Sequence, residues 1–190
     1  MAVGVDRVTD GSSARRLYSR DGSVITGGRA GPVCFPESTE EVVSCVLAAR
    51  RHGRAFVPRG AGTGLAGGSV PCDDPVMIVT TRMNRILEID PERRIAWVEP
   101  GVVNLDLARH LSGSGLHFAP DPSSQQACTI GGNVANNSGG PHCLAYGVTS
   151  AHVAAVEVVL SDGTVAVLGE EQGDAVGYDC LLYTSDAADE

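Results

Sequence analysis

The sequence predicts an α+β fold divided into two lobes, and three patterns carry that prediction. Between residues 30 and 81, a helical pattern is followed by two short apolar runs on either side of a glycine-rich loop, which is typical of a small parallel α/β lobe. Between residues 82 and 179, paired alternating apolar runs flank turn residues, which predicts a lobe of mostly antiparallel strands. Residues 1–29 show neither pattern and are predicted to form an N-terminal extension.

The first lobe contains the clearest helix signal in the chain. Ser38 precedes the helix as a predicted N-cap, and Glu41, three residues later, completes a capping box. Apolar residues then recur at helical spacing as far as Gly53, where the helix is predicted to end. The predicted strands of this lobe are VCF (33–35), AFVP (55–58) and VMIVT (76–80).

Two hairpins are predicted in the second lobe. In RILEIDPERRIAWVEPG, two alternating runs flank residues 90–94, which are rich in turn formers. In AHVAAVEVVLSDGTVAVLG, the pair Asp162-Gly163 separates two apolar runs and is a strong hairpin signal. Antiparallel pairing of neighbouring strands therefore dominates the expected topology of this lobe.

The hairpins are separated by a short helix and a long loop. Asn104 is predicted to cap a helix, LDLARHL, that ends at Gly113. Residues 117–150, here called the second loop, show little regular pattern beyond a short helix near 130–137. A loop of that length in a compact domain is usually functional or disordered, and the apolar residues threaded through this one argue against disorder.

Charge and hydropathy exclude several functional classes. The chain of 190 residues has a formal net charge of −9, whereas a nucleic-acid groove requires a basic face. The longest apolar run, VAAVEVVL, is too short for an integral membrane segment and includes Glu157. The six cysteines form no CxxC pair and no secretory leader pattern is visible, so we expect reduced thiols in a cytoplasmic protein. Histidines 117, 142 and 152 lack metal-ligand spacing and are assigned surface or packing roles, with no metal site.

The last eleven residues, CLLYTSDAADE (180–190), differ from the rest of the chain. They show no strand or helix period, and they resemble one reading frame of a transposase adapter used in sequencing libraries. We therefore expect that they are not native protein and that the gene fragment stops near Asp179, so they are left out of the fold prediction.

Residues 58–69, PRGAGTGLAGGS, here called the first loop, contain five glycines and directly follow a predicted strand. Glycine loses the most backbone freedom on folding, so a glycine-rich loop indicates that bare backbone is needed there. Converging N–H groups form a nest that binds anions, above all phosphate. Arg59 can add a full positive charge, and a diphosphate is the predicted ligand.

Two other phosphate-binding loops fit this stretch less well. GTGLAG, residues 62–67, matches the dinucleotide fingerprint GxGxxG, but that motif requires a helix directly after it, and prolines at 71 and 75 leave little room for one. A Walker loop ends in GK[ST], and the first loop has no lysine, which argues against nucleoside-triphosphate hydrolysis.

The second loop contains another stretch of glycines and small polar residues, TIGGNVANNSGG (129–140). Its asparagine amides both donate and accept hydrogen bonds, and Thr129 and Ser138 add hydroxyls. Two loops of bare backbone in one small domain predict a long ligand with phosphates and a flat polar ring.

These stretches, together with VEPGVVNLDL, APDPSS, YGVT and VEVVLSDG, resemble the FAD-binding domain of the vanillyl-alcohol oxidase type, also called PCMH-type. Within that family they are most similar to the FAD-linked oxidases of the glycolate oxidase and D-lactate dehydrogenase branch. The resemblance covers residues 18–179, with its motifs in order. It implies a two-lobed α+β domain with FAD between the lobes.

The resemblance also implies which residues contact the cofactor. The first loop would wrap the FAD pyrophosphate, through Arg59, Gly60, Ala61, Gly62, Thr63, Gly64, Gly67, Gly68 and Ser69. The second loop would pass the pyrophosphate and the flavin ring, through Pro120, Asp121, Ser124, Thr129, Ile130, Gly131, Gly132, Asn133, Asn136, Gly139, Gly140, Tyr146, Gly147 and Val148. A strand would offer backbone groups to the adenine, at Val156, Glu157 and Val158.

The chain departs from the family pattern at two points. Some relatives bind FAD covalently through a histidine in the first loop, which has none here, so we expect non-covalent FAD. The C-terminal segment and substrate domain of the family are missing from this sequence, so it is expected to be an N-terminal fragment, inactive alone, and no catalytic residue is assigned. A 2-hydroxy acid would bind through that missing domain. For the full-length protein, the resemblance would also imply partner subunits of a glycolate-oxidase-type complex and a peripheral place at the inner membrane.

Three functions remain open at this point. The first is the cofactor domain of an FAD-dependent enzyme that oxidises a D-2-hydroxy acid such as glycolate or lactate. The second is another flavoenzyme of the same fold, of the sugar-lactone oxidase or UDP-sugar reductase type. The third is a nucleotide-binding module without catalytic activity.

Overall fold

The computed structural model describes residues 3–25 and 27–169. These residues fall into two compact units. Unit 1 comprises the described residues up to Asn84 together with Val159–Val165, and unit 2 comprises Arg85–Val158 together with residues 166–169. The tail predicted at residues 180–190 lies outside the described residues.

Unit 1 is built on a four-stranded sheet. Its elements are β1 (Val8–Thr9), α1 (Ser12–Leu17), β2 (Val33–Cys34), α2 (Thr39–Arg51), β3 (Phe56–Arg59) and β4 (Val76–Val79). The strand order is β1-β2-β4-β3, in which β4 runs parallel to β2 and β3, and β1 runs antiparallel to β2. The predicted parallel α/β lobe is confirmed, and the segment predicted as an extension contributes β1 and α1 to the same unit.

The core of unit 1 is organised by β4, all four residues of which are buried. Successive side chains of a strand point to opposite faces of the sheet. Met77 and Val79 accordingly belong to one apolar cluster, while Val76 and Ile78 belong to another that includes the buried face of α2. A strand in a parallel sheet is covered on both faces and therefore reads as a continuous apolar run, as VMIV does.

The start of α2 follows the prediction with one change. The Ser38 side chain caps the helix by accepting a hydrogen bond from the Glu41 N–H, at 3.4 Å. The Glu41 carboxylate accepts from the Glu37 N–H, at 2.8 Å, and from the guanidinium of Arg7. The reciprocal bond of the predicted capping box is thus shifted by one residue toward the N-terminus.

The remaining elements form hairpins and short helices. They are β5 (Ile86–Asp90), β6 (Ile95–Val98), α3 (Asn104–Leu111), α4 (Ile130–Ala135), α5 (Cys143–Tyr146), β7 (Ala155–Val159) and β8 (Val165–Gly169). Strands β5 and β6 form the predicted antiparallel hairpin, and β7 and β8 form another two-stranded sheet. The core of unit 2 joins Leu107 and Leu111 of α3 and Ile130 of α4 to the β5–β6 hairpin.

The predicted cap of α3 is wrong. Val103 occupies the N-cap position, and no side chain caps the helix there. Asn104 is instead the first helical residue, is 2% exposed, and donates from Nδ2 to the carbonyl of Pro120 at 3.0 Å. The helix is followed by a 3₁₀ turn, Ser112–Ser114, and Gly115 adopts a φ of 72°, so the left-handed residue at this end is Gly115 rather than Gly113. The burial of the Asn104 amide explains the change, since a buried amide needs a partner inside the protein.

Three further observations concern the described residues as a whole. None of their helices has the length and apolar character required to cross a bilayer. Their five cysteines are free thiols. Within residues 3–25 and 27–169, no three His, Cys, Asp or Glu side chains come together as potential metal ligands.

Candidate functional site

The first loop leaves the end of β3 beside a buried cation. Arg59, the last residue of β3, is 8% exposed, and its guanidinium lies 5.3 Å from the ring centroid of Tyr18. Its Nη1 donates to the carbonyl of Ser69, 3.5 Å away, and so links the two ends of the loop. The pKa of Arg59 lies below its ordinary value, because burial lowers it more than the charges of Tyr18 and Asp21 raise it. The positive charge of Arg59 therefore braces the loop from within unit 1.

Gly62 shows one reason why the first loop is rich in glycine. Its φ is 72°, in the left-handed region that disfavours L side chains, and a Cβ at this position would overlap the guanidinium of Arg59. At Gly68, by contrast, a Cβ would meet nothing within 4 Å. The left-handed backbone at residue 62 therefore favours glycine independently of any ligand, and the close approach of the Arg59 guanidinium adds to that preference.

The N-terminal segment around residues 18–25 packs against the first loop. This contact was not predicted from the sequence. A Cβ on Gly22 would lie 2.7 Å from the carbonyl oxygen of Thr63. Burial raises the pKa of Asp21, but hydrogen bonds with Ser23 and with the backbone of Ser69 outweigh burial, so that pKa lies below its usual value. The only sequence signal for this contact is the Asp21-Gly22 pair, which by itself predicts no more than a turn.

Two hydroxyls hold the second loop in place within unit 2. Thr129, which is buried, caps α4 because its Oγ1 accepts a hydrogen bond from the Gly132 N–H at 3.4 Å. Thr149 is 0% exposed and donates its hydroxyl to the carbonyl of Ser138 at 2.6 Å. Thr129 was predicted as a cofactor contact, whereas the bracing role of Thr149 could not be predicted because it depends on a partner eleven residues away.

The start of α4 uses its backbone donors within the protein. The Ile130 N–H donates to the carbonyl of Val102, and the Gly131 N–H donates to the carbonyl of Pro100, both at 2.9 Å. A Cβ on Gly131 would lie 2.6 Å from the Cβ of Pro100, so only glycine permits this approach. Ile130 and Gly131 therefore position the loop, and their N–H groups already have partners.

Two buried polar side-chain atoms of the second loop have no hydrogen-bond partner among the described residues. They are Asp121 Oδ1, an acceptor, and Asn133 Nδ2, a donor. Asn133 as a whole is 1% exposed. The great majority of buried polar groups in native proteins are hydrogen-bonded, and an unsatisfied one costs about 1–3 kcal/mol. Asp121 Oδ1 thus lacks a donor, and Asn133 Nδ2 lacks an acceptor.

The other carboxylate oxygen of Asp121 is paired with His142. The two partners are His142 Nδ1 and Asp121 Oδ2, 2.5 Å apart. The hydrogen bond to His142 is the main reason why the pKa of Asp121 lies below its usual value. A Cβ on Gly140 would overlap Asp121 Oδ1, so the close contact of these two segments requires glycine. His142, to which the sequence analysis assigned a surface or packing role, thus has an ionisable partner.

The predicted site residues are distributed over both units. Those of the first loop, residues 59–69, lie in unit 1, and those at 120–148 and 156–158 lie in unit 2. Within unit 2, contacts bring Asp121 to Gly140 and Gly139 to Val148, so distant parts of the second loop meet. Val156, Glu157 and Val158 lie in β7.

Comparison with known proteins finds one family and several relatives. The family model described as FAD binding domain matches residues 31–169. The glycolate oxidase component GlcD of Escherichia coli (strain K12) is 43% identical over 168 residues, which are 88% of this chain and 34% of GlcD. D-lactate dehydrogenase of Anaerostipes hadrus is 39% identical over 165 residues, 86% of this chain and 34% of that enzyme. The chain thus spans about a third of the length of these curated relatives.

Solved structures show the same fold. Alkyldihydroxyacetonephosphate synthase matches with a TM-score of 0.81 at 23% identity, over 97% of this chain and 34% of that chain. The 6-hydroxy-D-nicotine oxidase from Arthrobacter nicotinovorans matches with a TM-score of 0.75 at 19% identity, over 89% of this chain and 37% of that chain. The predicted α+β class is confirmed by these neighbours; at such identities they carry no statement about chemistry.

Proposed function

This chain belongs to the family of FAD-binding domains, and from that premise we propose that it holds FAD in an enzyme that oxidises a D-2-hydroxy acid such as glycolate or lactate. The cofactor follows from the family, and the substrate class is suggested by the names of its relatives, a glycolate oxidase component and a D-lactate dehydrogenase. The observation that carries the proposal is the pair of unsatisfied buried atoms, Asp121 Oδ1 and Asn133 Nδ2.

The residues present fit FAD. Its ribityl hydroxyls and ring N–H are donors that could satisfy Asp121 Oδ1, and its phosphate and ring carbonyl oxygens are acceptors that could satisfy Asn133 Nδ2. Gly62 and Gly140, where a Cβ would collide with the protein itself, allow the close packing that shapes the two loops. The first loop would hold the pyrophosphate, the second loop the pyrophosphate and ring, and β7 the adenine.

The chemistry that FAD would supply, when bound, is acceptance of a hydride from the substrate carbon. The residues of this chain would contribute binding and orientation. Arg59 supports the first loop by packing against Gly62 and donating to the Ser69 carbonyl, and Asn104 fixes the backbone of the second loop at Pro120. Asn133 would orient the cofactor through its free amide N–H. We assign no catalytic residue to this chain, and we propose that the acid substrate is bound by parts of the full-length protein that this sequence does not include.

We also propose how the cofactor is attached and where the protein works. FAD is bound non-covalently, because the first loop contains no histidine. The full-length protein works in the cytoplasm, in keeping with the free thiols, and at the periphery of the inner membrane. Since GlcD is named as one subunit of glycolate oxidase, we propose that the full-length protein also has partner subunits.

Binding of FAD can be tested on the 190-residue chain itself. Titration of the purified chain with FAD, followed by flavin fluorescence, is expected to show saturable one-to-one binding. After acid precipitation of the complex, the flavin is expected in the supernatant, and a yellow pellet would contradict non-covalent attachment. If no saturable binding occurs at any pH, the proposed function is wrong.

The substrate class needs a second experiment. A chimera in which this chain replaces the matching third of Escherichia coli GlcD is expected to reduce a dye with glycolate, and the same chimera with Gly62→Val is expected to be inactive. A chimera that retains FAD but reduces no dye with glycolate or lactate would favour the alternative, a flavoenzyme of the sugar-lactone oxidase or UDP-sugar reductase type. If the full-length protein reduces the dye neither with glycolate or lactate nor with the substrates of the alternative flavoenzymes, a nucleotide-binding module would be favoured.

A further inference from the structure

The N-terminal segment, residues 18–25, lies outside the part of the chain that the family model matches. That match begins at residue 31, and the residues proposed to contact FAD begin at Arg59. A Cβ on Gly22 would lie 2.7 Å from the carbonyl oxygen of Thr63, and a Cβ on Gly67 would overlap the side chain of Ile25. The segment therefore packs closely against two separate parts of the first loop.

Tyr18, the first residue of this segment, is anchored on the sheet of unit 1. It is partly buried against the apolar cluster that contains Met77 and Val79, and its ring meets that of Phe35 edge to face, with the centroids 5.7 Å apart. The guanidinium of Arg59 lies 5.3 Å from the Tyr18 ring centroid, within the range of a cation–π interaction. The Tyr18 ring thus connects the sheet to the side chain that supports the first loop.

Asp21 supplies a negative charge near Arg59 and a hydrogen bond to the end of the first loop. Its carboxylate interacts electrostatically with Arg59 and accepts a hydrogen bond from the backbone N–H of Ser69, whose carbonyl accepts from Arg59. Asp21 also accepts from the Ser23 N–H at 2.8 Å, which fixes the turn that carries it. Arg59 is 8% exposed, and a buried charge is costly unless its partners stay in place.

From these contacts we propose that Tyr18 and Asp21 are positioning residues of the cofactor site, which hold Arg59 and the end of the first loop in the shape that receives the FAD pyrophosphate. The inference rests on the proposed function, in which the first loop binds FAD. Neither residue has to touch the cofactor, because Tyr18 acts through Arg59, and Asp21 acts through Arg59 and Ser69. A loop that is already held in its binding shape binds more tightly, since less order has to be gained on binding. The cofactor-binding part of the chain thus extends upstream of residue 31, as far as residue 18.

Variants of Tyr18 test whether its ring supports the first loop. In the full chain, Tyr18→Leu is expected to bind FAD about tenfold more weakly, as measured by flavin fluorescence, because the contact with the Arg59 guanidinium is lost. Tyr18→Phe keeps the ring and is expected to bind FAD as the wild type does. Phe56→Leu is the matched control, since Phe56 packs in the cluster of Val76 and Ile78, and it is expected to lower stability in urea without lowering FAD affinity. Equal FAD affinity in Tyr18→Leu and Tyr18→Phe would overturn the inference.

Asp21→Ala separates positioning from a direct effect of charge. Removal of a negative charge near a diphosphate by itself favours binding, whereas loss of the bond to Ser69 and of the charge beside Arg59 weakens it. We expect the second effect to dominate, with FAD binding about three- to tenfold weaker than in the wild type. Asp6→Ala removes an exposed charge of the same terminal region and is expected to leave FAD affinity unchanged. Unchanged or tighter binding of FAD by Asp21→Ala would overturn the inference.

Hydrogen exchange of the cofactor-free chain tests the same inference without FAD. The backbone amides of residues 60–69 are expected to exchange several-fold faster in Tyr18→Leu and in Asp21→Ala than in the wild type, and at the wild-type rate in Tyr18→Phe. Equal exchange in all four proteins would overturn the inference and leave the proposed function standing. Failure of the wild-type chain to bind FAD at any pH is a different result, since it would overturn the proposed function itself and the inference with it.

Discussion

The two glycine-rich loops use bare backbone for different purposes. In the first loop, Gly62 makes room for the guanidinium of Arg59, which is buried beside Tyr18 and reaches Ser69. In the second loop, glycines bring segments of the chain together, as Gly131 does with Pro100 and Gly140 with Asp121. The first loop is thus braced by a charged side chain, and the second by hydrogen bonds from Asn104, Thr129 and Thr149.

The two loops also differ in whether their buried polar side-chain atoms have hydrogen-bond partners. Among the described residues, the two buried side-chain atoms that lack a hydrogen-bond partner, Asp121 Oδ1 and Asn133 Nδ2, both belong to the second loop. The polar side chain of Arg59, by contrast, has partners within unit 1. We infer that the first loop contributes mainly a fixed backbone shape to cofactor binding, whereas the second contributes specific side-chain contacts.

The largest expected effect is at Gly62. Gly62→Val places a β-branched residue at a φ of 72°, which costs about 1–3 kcal/mol, and its Cβ overlaps the Arg59 guanidinium as well. We expect the first loop to change shape and FAD retention to be lost, as measured by flavin fluorescence. Gly11→Val is the matched control, since a Cβ there meets nothing within 4 Å. Unchanged FAD affinity in the Gly62 variant would mean that the shape of the first loop does not matter for binding.

The corresponding variant for the second loop is Asn104→Ala, which disrupts a hydrogen bond to that loop. This removes the buried donor to the Pro120 carbonyl and is expected to lower the free energy of unfolding by about 2–3 kcal/mol, measured with urea. Asn136→Ala removes an exposed bond of the same type, to the Gly132 carbonyl, and is expected to cost less than about 0.5 kcal/mol. Equal losses in the two variants would show that burial of the Asn104 bond is unimportant.

A third variant tests whether the second loop keeps an unsatisfied group for the cofactor. Asn133→Leu removes the unpaired donor and replaces it with an apolar side chain, so the cofactor-free chain is expected to be as stable as the wild type within about 1 kcal/mol. FAD affinity is expected to fall about tenfold, the equivalent of about 1.4 kcal/mol. The exposed Asn84→Leu is the control for both measurements. A large loss of stability together with unchanged FAD affinity would make Asn133 a purely structural residue.

The smallest effect is expected outside both loops, at the ion pair of Glu99 and Arg85. The Glu99 carboxylate accepts hydrogen bonds from the backbone N–H and from Nη2 of Arg85, both at 2.7 Å. Burial raises the pKa of Glu99, but these hydrogen bonds outweigh burial, so the pKa lies below its ordinary value of 4.5. Because the folded-state pKa is depressed, the pair stabilises the protein at neutral pH, and this contribution is lost as pH falls below the ordinary value.

Glu99→Gln is therefore expected to reduce the stability difference between about pH 7 and about pH 3.5 by about 1 kcal/mol, as urea unfolding can measure. Glu92→Gln, at an exposed position of the β5–β6 turn, is expected to leave that difference unchanged. A pH dependence that is identical in the wild type and in Glu99→Gln would contradict the pKa argument.

Much of the fold could be predicted because its signals are local. Ser38 caps α2, the VMIV run forms the buried strand β4, and the turn residues of RILEIDPERRIAWV join β5 and β6, all through interactions within a few residues or through periodicity. The predictions went wrong where a distant partner competes. Asparagine is a residue type favoured at helix caps, but the amide of Asn104 donates instead to the Pro120 carbonyl, sixteen residues away.

The sequence by itself determined the fold class and the two glycine-rich loops, since periodicity and turn chemistry are properties of the chain, and the resemblance of its motifs to a known family implied FAD. Only the tertiary structure showed that Arg59 packs beneath Gly62, that residues 18–25 contact the first loop, and that Asp121 is paired with His142 while one of its oxygens stays unsatisfied. The physical reason is that burial and hydrogen-bond satisfaction depend on which distant segments meet, and the pattern of neighbouring residues carries no information about that.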